Sequence, residues 1–350
     1  MINSIEWKKD HIRIIDQRKL PFETVLIDLY TIEDVYEAIQ QLKIRGAPAI
    51  GIIAAYGLYL ALKNINEIRY KEFIKLLNTK IDYLVSSRPT AVNLKWALQK
   101  IKEDLENSSD YEINSLKNRL LKIALEIHSD DSKRCEKISN FGQEILDQNA
   151  KILTHCNTGA LATGGIGTAL GVIHKAHELG KNVEVFATES RPVLQGARLT
   201  VWELKSLKIP VTLICDSASG FLMHQKKVDV ILLGADRIAA NGATANKIGT
   251  YNLAILAKYH KIPFYVVAPL STFDFNITNE NDIPIEYRDI EEIRTVFNKF
   301  PITLKDTNCW NPAFDITPSD LITGIITEVG IIRPPYIENI DKKLSNKVSI

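Results

Sequence analysis

The chain has 350 residues, of which 45% are hydrophobic and 24% charged, with 43 basic residues against 42 acidic ones. The net charge of +1 excludes recruitment of nucleic acid or an acidic membrane surface by bulk charge, and the length favours two domains over one. Four cysteines, at 135, 156, 215 and 309, form no C-x-x-C pair, which argues against a zinc knuckle and a disulfide scaffold and fits a reducing, cytoplasmic compartment.

The first stretch, MINSIEWKKDHIRIID, lacks the apolar run of a signal peptide. Residues 5–30 alternate in places and predict two or three strands with a turn at Leu20-Pro21. Thr31 and Asp34 form a capping-box pattern before a helix that is expected to stop at Arg45-Gly46. Gly46–Leu62 carries no charge but holds Pro48 and three glycines, so it reads as a buried core helix, not a membrane span. Arg45 stands before the Gly-Ala-Pro entry to that helix. It either faces an anion or caps the preceding helix dipole. A long helix is expected over Glu67–Leu84. Arg88-Pro89 is then read as the entry to the next helix. Helices broken around 107–109 and 129–131 complete a mostly helical unit over residues 1–145.

From residue 151 the rhythm changes. Apolar strands recur at 151–155, 183–187, 211–215, 228–233 and 262–267. Helical segments separate them, at 165–179, 193–207, about 218–226 and 247–260. That alternation predicts a parallel α/β sheet, Rossmann-like, over residues 146–350. The closing Lys342–Val348 stretch is expected to fray.

The first strand runs into a Gly/Thr-rich turn, His155-Cys156-Asn157-Thr158 followed by glycines at 159, 164, 165, 167 and 171. Strand, glycine turn and helix form a shape that leaves backbone N–H groups free for an anion. Cys156 is then either a placed thiol or a small buried hydrophobe. Other strands end on Glu189-Ser190-Arg191, Asp216 and Asp236-Arg237. In open α/β sheets ligands bind outside these carboxyl ends. Asp236 follows an apolar strand, so lost hydration raises its expected pKa and suits a general acid. The alternative is an ionised carboxylate paired with Arg237. Asn246-Lys247, expected in a turn into a helix, offers an amide and a cation to a sugar or phosphate oxygen. His174 and His177 read as a solvated helix face, and no metal site is expected.

Seven motifs carry a resemblance over nearly the whole chain: IRGAPAIG (44–51), SRPTAVNLKWA (87–97), THCNTGALATGGIGTALGVI (154–173), ATESRPVLQGARLTVWEL (187–204), GADRIAANGATANKIGTY (234–251), APLSTFD (268–274) and NPAFDITP (311–318). Together they resemble the methylthioribose-1-phosphate isomerases of methionine salvage. Ribose-1,5-bisphosphate isomerases and the regulatory α, β and δ subunits of translation initiation factor 2B are relatives in the wider superfamily. The resemblance implies a strand-and-helix domain followed by a Rossmann-like domain, and a homodimer without cofactor. It implies substrate binding by Arg45, Gly46, Ala47, Arg88, Gln195, Asn246 and Lys247. It further implies Asp236 as proton donor and Cys156 as the group that stabilises the transition state. The expected partner is a sugar phosphate, not nucleic acid or membrane. Ala243 departs from the family's Asp in ANGDTANK, and Tyr287 from its Glu in IPIEER. The alternatives are a related isomerase of ribose 1,5-bisphosphate or 5-deoxyribose 1-phosphate, and a non-catalytic regulatory subunit. A nicotinamide dehydrogenase fits less well, because Gly165–Gly171 is G-x-G-x-x-x-G.

Overall fold

The computed structural model describes residues 2–66, 68–297 and 299–345. It contains two compact units, Met1–Arg134 with Ala160–Gly167, and Cys135–Gly159 with Thr168–Ile350.

In the first unit β1 (Ile5–Lys8), β2 (His11–Ile15) and β3 (Leu26–Leu29) form an antiparallel sheet. The capping box at Thr31 is present and opens α1 (Ile32–Gln40). That helix ends five residues before Arg45, which corrects the expected stop. Leu42 takes a left-handed φ of +57°, and the Ile44 amide closes onto the Ala38 carbonyl at 3.2 Å, so the turn needs no glycine. α2 (Ala47–Leu62) is the core helix expected from its composition, buried on almost every side. α3 runs Tyr70–Ser87, three residues later than expected at each end, and Glu67 lies outside the described residues. Arg88 is the C-terminal cap of α3, and the next helix, α4, begins at Val92, three residues beyond the expected start signal Pro89, and runs to Glu106. α5 (Ile113–Gly142) is one helix of 30 residues, with no break at 129–131. Asp131, on which a break was expected, accepts the Gly164 amide at 2.7 Å, so its side chain is occupied by a long-range partner and does not compete for local backbone.

The second unit is built on β4 (Lys151–Thr154), β5 (Glu184–Thr188), β6 (Val211–Ile214) and β7 (Val230–Leu233). Between successive strands lie, in turn, α6 (Ala169–Glu178), α7 (Val201–Ser206), entered through a wide turn at Gly196–Thr200, and α8 (Ser219–His224). The β8 (Arg237–Ala239) to β9 (Thr244–Lys247) hairpin, α9 (Thr250–His260), β10 (Phe264–Val267) and β11 (Phe273–Asp274) follow. The remainder is α10 (Glu291–Arg294), a small hairpin of β12 (Thr295–Val296) and β13 (Phe300–Pro301), β14 (Phe314–Thr317), β15 (Gly324–Thr327), β16 (Gly330–Ile332) and α11 (Tyr336–Ser345). The chain is thus helical to Ser345 where fraying was expected, and residues 346–350 lie outside the described residues.

The main sheet has the order β16-β15-β10-β7-β4-β5-β6, parallel except for β16. Its strands alternate between two buried faces. Leu153, Ile231, Leu233, Phe264 and Val266 point into one core, while Ile152, Val230, Leu232, Tyr265 and Val267 point into the other. Burial on both faces is why these strands read as continuous apolar runs. Strand order reverses beside β4: β5 and β6 lie on one side, and β7, β10 and β15 on the other.

A second sheet, β11-β8-β9-β14, was not legible in the sequence. It corrects the expected turn at Asn241–Lys247, because Asn246 and Lys247 lie on β9, paired with Asp315 and Phe314 of β14.

Candidate functional site

Cys156 leaves the end of β4 with a left-handed φ of +63°, a conformation that costs free energy for a residue with a side chain and that recurs at functional positions. Its peptide is held on both sides. The N–H donates to Ser190 Oγ at 2.8 Å, and the carbonyl accepts from Thr200 Oγ1 at 2.6 Å. The next residue, Asn157, donates from Nδ2 to Glu203 Oε1 at 2.7 Å and to Thr200 Oγ1 at 3.2 Å. Glu203 is 1% exposed, and a Cβ on Gly159 would stand 2.2 Å from its Oε2. A side chain at 159 would therefore have to displace a buried carboxylate that is hydrogen-bonded to Asn157.

The neighbouring strand ends are tied to the same rim. Asp216 accepts the amides of Ser190 and Arg191, each at 2.7 Å, so it braces the end of β5 from the end of β6. His155 Nε2 lies 2.8 Å from the Ile248 carbonyl, and Nδ1 lies 2.6 Å from Thr188 Oγ1. A carbonyl only accepts, so Nε2 carries the proton and Nδ1 accepts from Thr188. Burial pushes the basicity of His155 down, against the raising influence of Asp216.

Asp236 follows β7 and is half-buried, and its amide donates to the Ala245 carbonyl at 2.9 Å. Arg237 pairs with Asp274 at 3.1 Å. Lys247 is buried, and burial lowers the basicity of its ammonium. Cys156 and Asp236 act in the opposite direction, Arg288 adds to the lowering and Glu292 opposes it. One buried cation thus lies within electrostatic reach of both the thiol and the carboxyl that were singled out in the sequence. Asn246 is buried beside it, donating to Thr250 Oγ1 at 2.9 Å, and Thr250 donates on to the Lys247 carbonyl at 2.7 Å.

Asp315 of β14 caps α9 from a distance. Its carboxylate accepts the Gly249 amide at 2.7 Å and the Tyr251 amide at 3.0 Å. Burial nonetheless pushes its pKa up to about 6, against those two hydrogen bonds and Lys247. Gln195 stands at the start of the wide turn into α7. It is buried, and its Oε1 has no hydrogen-bond partner among the described residues. Of the two departures noted in the sequence, Ala243 is fully buried in a small apolar cluster with Ala239, Ala245 and Ile283, whereas Tyr287 is exposed near Trp310.

Arg45, Gly46, Ala47 and Arg88 belong to the first unit. Arg45 is buried, and Gly46 caps α2 with φ +102°, where a Cβ would meet Ala162 Cα at 2.5 Å. α2 and α4 pack closely near their starts: a Cβ on Gly51 would lie 2.8 Å from the Asn93 carbonyl. Arg88 precedes Asn93 by five residues, and Arg45 precedes Gly51 by six. α2 and α4 thus meet near their first turns, with Arg45 two residues before α2 and Arg88 four residues before α4. The glycine turn after Cys156 is used differently from the anion cradle expected of it. The Gly164 amide is taken by Asp131, and the Gly165 amide points to Thr163 Oγ1 at 3.3 Å.

Glu203 and Asp315 were missed in the sequence. A lone glutamate in a helix and an aspartate 79 residues beyond Asp236 carry no local signal; only the β9–β14 register brings the latter to Gly249. No group of three or more His, Cys, Asp or Glu is arranged to hold a metal ion among the described residues. No helix among them is long and apolar enough to cross a membrane.

The profile of the initiation factor 2 subunit family matches residues 43–334. A methylthioribose-1-phosphate isomerase 2 from Pseudothermotoga lettingae is 51% identical over 339 residues, covering 97% of each chain. The crystal structure of 5-methylthioribose 1-phosphate isomerase from Pyrococcus horikoshii superposes with a TM-score of 0.91 at 41% identity, covering 99% of this chain and 96% of that one. The crystal structure of translation initiation factor eIF-2B, subunit delta, from A. fulgidus superposes with a TM-score of 0.86 at 40% identity over 99% of this chain and 100% of that one.

Proposed function

The chain belongs to the initiation factor 2 subunit family, and on that footing we propose that it is an aldose–ketose isomerase converting 5-methylthioribose 1-phosphate to 5-methylthioribulose 1-phosphate in methionine salvage. The observation that carries this reading is the placement of Cys156 and Asp236. They follow β4 and β7, the two adjacent strands beside which the sheet order reverses, with buried Lys247 in electrostatic reach of both. Ligands of open α/β sheets bind at such a point.

The C1 phosphate locks the sugar in its ring, so the ring oxygen must leave before a ketone can form. Asp236 donates the proton to that oxygen. One hydrogen then moves from C2 to C1 and the C2 hydroxyl gives its proton to the now ionised Asp236, leaving a carbonyl at C2; the proton donated to the ring oxygen is thereby returned, substrate and product are isomers, and no outside oxidant is consumed. Cys156, fixed by the bonds to its peptide, stabilises the transition state. Arg45 and Arg88, with the amides of Gly46 and Ala47, bind the phosphate. Gln195, Asn246 and Lys247 contact sugar oxygens, and the unpartnered Oε1 of Gln195 supports its part in this.

We also propose a cytoplasmic homodimer. Tyr251, Ile255 and Tyr259 form an exposed apolar stripe on α9 that suits a subunit contact, and light scattering on the purified protein reads its mass.

The deciding experiment incubates the protein, without added cofactor, separately with 5-methylthioribose 1-phosphate, ribose 1,5-bisphosphate and 5-deoxyribose 1-phosphate. The ketone carbon is followed by NMR. Ketose formed fastest from the first sugar is the expected result. Preference for another sugar moves the substrate. No ketose in any arm favours the regulatory-subunit reading that the A. fulgidus initiation-factor subunit suggests.

A further inference from the structure

Thr158 lies two residues after Cys156. It is 8% exposed, and its Oγ1 is wholly buried with no hydrogen-bond partner among the described residues. Burying a hydroxyl without a partner costs free energy, so such a group requires an explanation. The fold does not need this hydroxyl to hold the loop. The backbone of Thr158 is fixed by its own carbonyl, which accepts the Thr168 amide at 2.8 Å. The side chain is fixed by its methyl group. Cγ2 lies so close to Gly234 that a Cβ there would stand 2.6 Å away. Gly234 directly follows β7, two residues before Asp236. The side chain is therefore pinned between the Cys156 turn and the segment that delivers Asp236, with its methyl group packed and its hydroxyl unused.

We infer that Thr158 is a further substrate-contacting residue, whose hydroxyl hydrogen-bonds a hydroxyl or ring oxygen of the sugar held between Cys156 and Asp236. This rests on the isomerase reading above. The chemistry fits a polyhydroxylated ligand, because a threonine hydroxyl can both donate and accept. Thr158 thereby joins sugar recognition to the rim already described.

Two variants separate the hydroxyl from the methyl. Thr158→Val keeps the methyl contact with Gly234 and removes only the hydroxyl. Its kcat/KM for 5-methylthioribose 1-phosphate is expected to fall about tenfold, the effect of losing one neutral hydrogen bond. Its melting temperature is expected to match or exceed the parent's, because a costly unpaired group has gone. Thr158→Ser keeps the hydroxyl and loses the methyl, so it should melt lower while retaining kcat/KM within about threefold of the parent. A residue that merely supports the fold would lose stability and activity together. Parental kcat/KM in Thr158→Val overturns the inference, as does a lower melting temperature in that variant, which would reveal a partner within the protein. A parent enzyme that forms no ketose overturns the isomerase reading instead, an outcome visible before either variant is made.

Discussion

Asp315→Asn tests the electrostatics of the site rim through stability. The Asp315 carboxyl is raised from an ordinary 3.8 to about 6, chiefly by burial. The native state therefore binds this proton more tightly than the unfolded chain does. The stability it contributes is full below pH 3.8 and is lost as pH rises through about 6. At about 1.4 kcal/mol per pH unit, that interval corresponds to a loss of about 3 kcal/mol by pH 7. Asparagine cannot ionise, so its side chain escapes this loss at neutral pH. It accepts only one of the two amides of Gly249 and Tyr251, which imposes a cost that does not vary with pH. Urea unfolding of parent and variant at half-unit steps from pH 4.5 to 7.5 gives the difference in unfolding free energy, in which the other titrating groups cancel. That difference should move in favour of the variant by about 2 kcal/mol across the range, the first part of the loss having occurred below it. A flat difference would mean that Asp315 titrates alike in the folded and unfolded chain, and burial would then not be the dominant influence on it.

Asp236→Asn should bind substrate about as well as the parent and turn over at least about a hundredfold more slowly, as expected for loss of a general acid; near-parental kcat removes Asp236 from that role. Arg88→Ala should weaken apparent substrate affinity about ten- to a hundredfold, the equivalent of about 1.5–3 kcal/mol for a charge-assisted contact. Unchanged KM in both that variant and Arg45→Ala would take the anion site away from the first unit. Gly159→Ala should lower stability by about 1–3 kcal/mol in urea unfolding, because its Cβ meets the buried Glu203 carboxylate at 2.2 Å. A parental midpoint would mean that the Asn157–Glu203 contact yields without cost.

The parallel sheet was legible because its central strands are apolar on both faces; β4, β5, β6, β7 and β10 fall within a residue or two of the expected positions. The rim was legible for a related reason, since a polar residue that follows such a strand has to emerge at its carboxyl end. The β8–β9 hairpin was hidden even though Asn241-Gly242 is a hairpin signal, because Thr-Ala-Asn-Lys offers few residues with strand preference. Its pairing is supplied by β14, some 70 residues later, which no local pattern announces. The misplaced break in α5 has the opposite cause. Ser129-Asp130-Asp131 has the composition of a loop, but Asp131 finds its partner at Gly164 and the helix continues.

The strap Ala160–Gly167 has a consequence for how the chain is made. The Ala160 carbonyl accepts from Ser4 Oγ at 2.5 Å, the Leu161 carbonyl from Gln17 Nε2 at 2.7 Å, and the Gly164 amide donates to Asp131. The first unit's own continuous part ends at Arg134, yet its last piece is synthesised 33 residues later. Ser4, among the first residues to leave the ribosome, meets a partner 156 positions downstream. At about 5–20 residues per second, the nascent N-terminal unit waits seconds with the seat of Leu161 open, and β4 and the Cys156 turn must be synthesised before it can close. Completion of the first unit is therefore timed by translation of the opening segment of the second, Cys135–Gly159, and a ribosome stalled near residue 145 would present a first unit that lacks one of its own pieces.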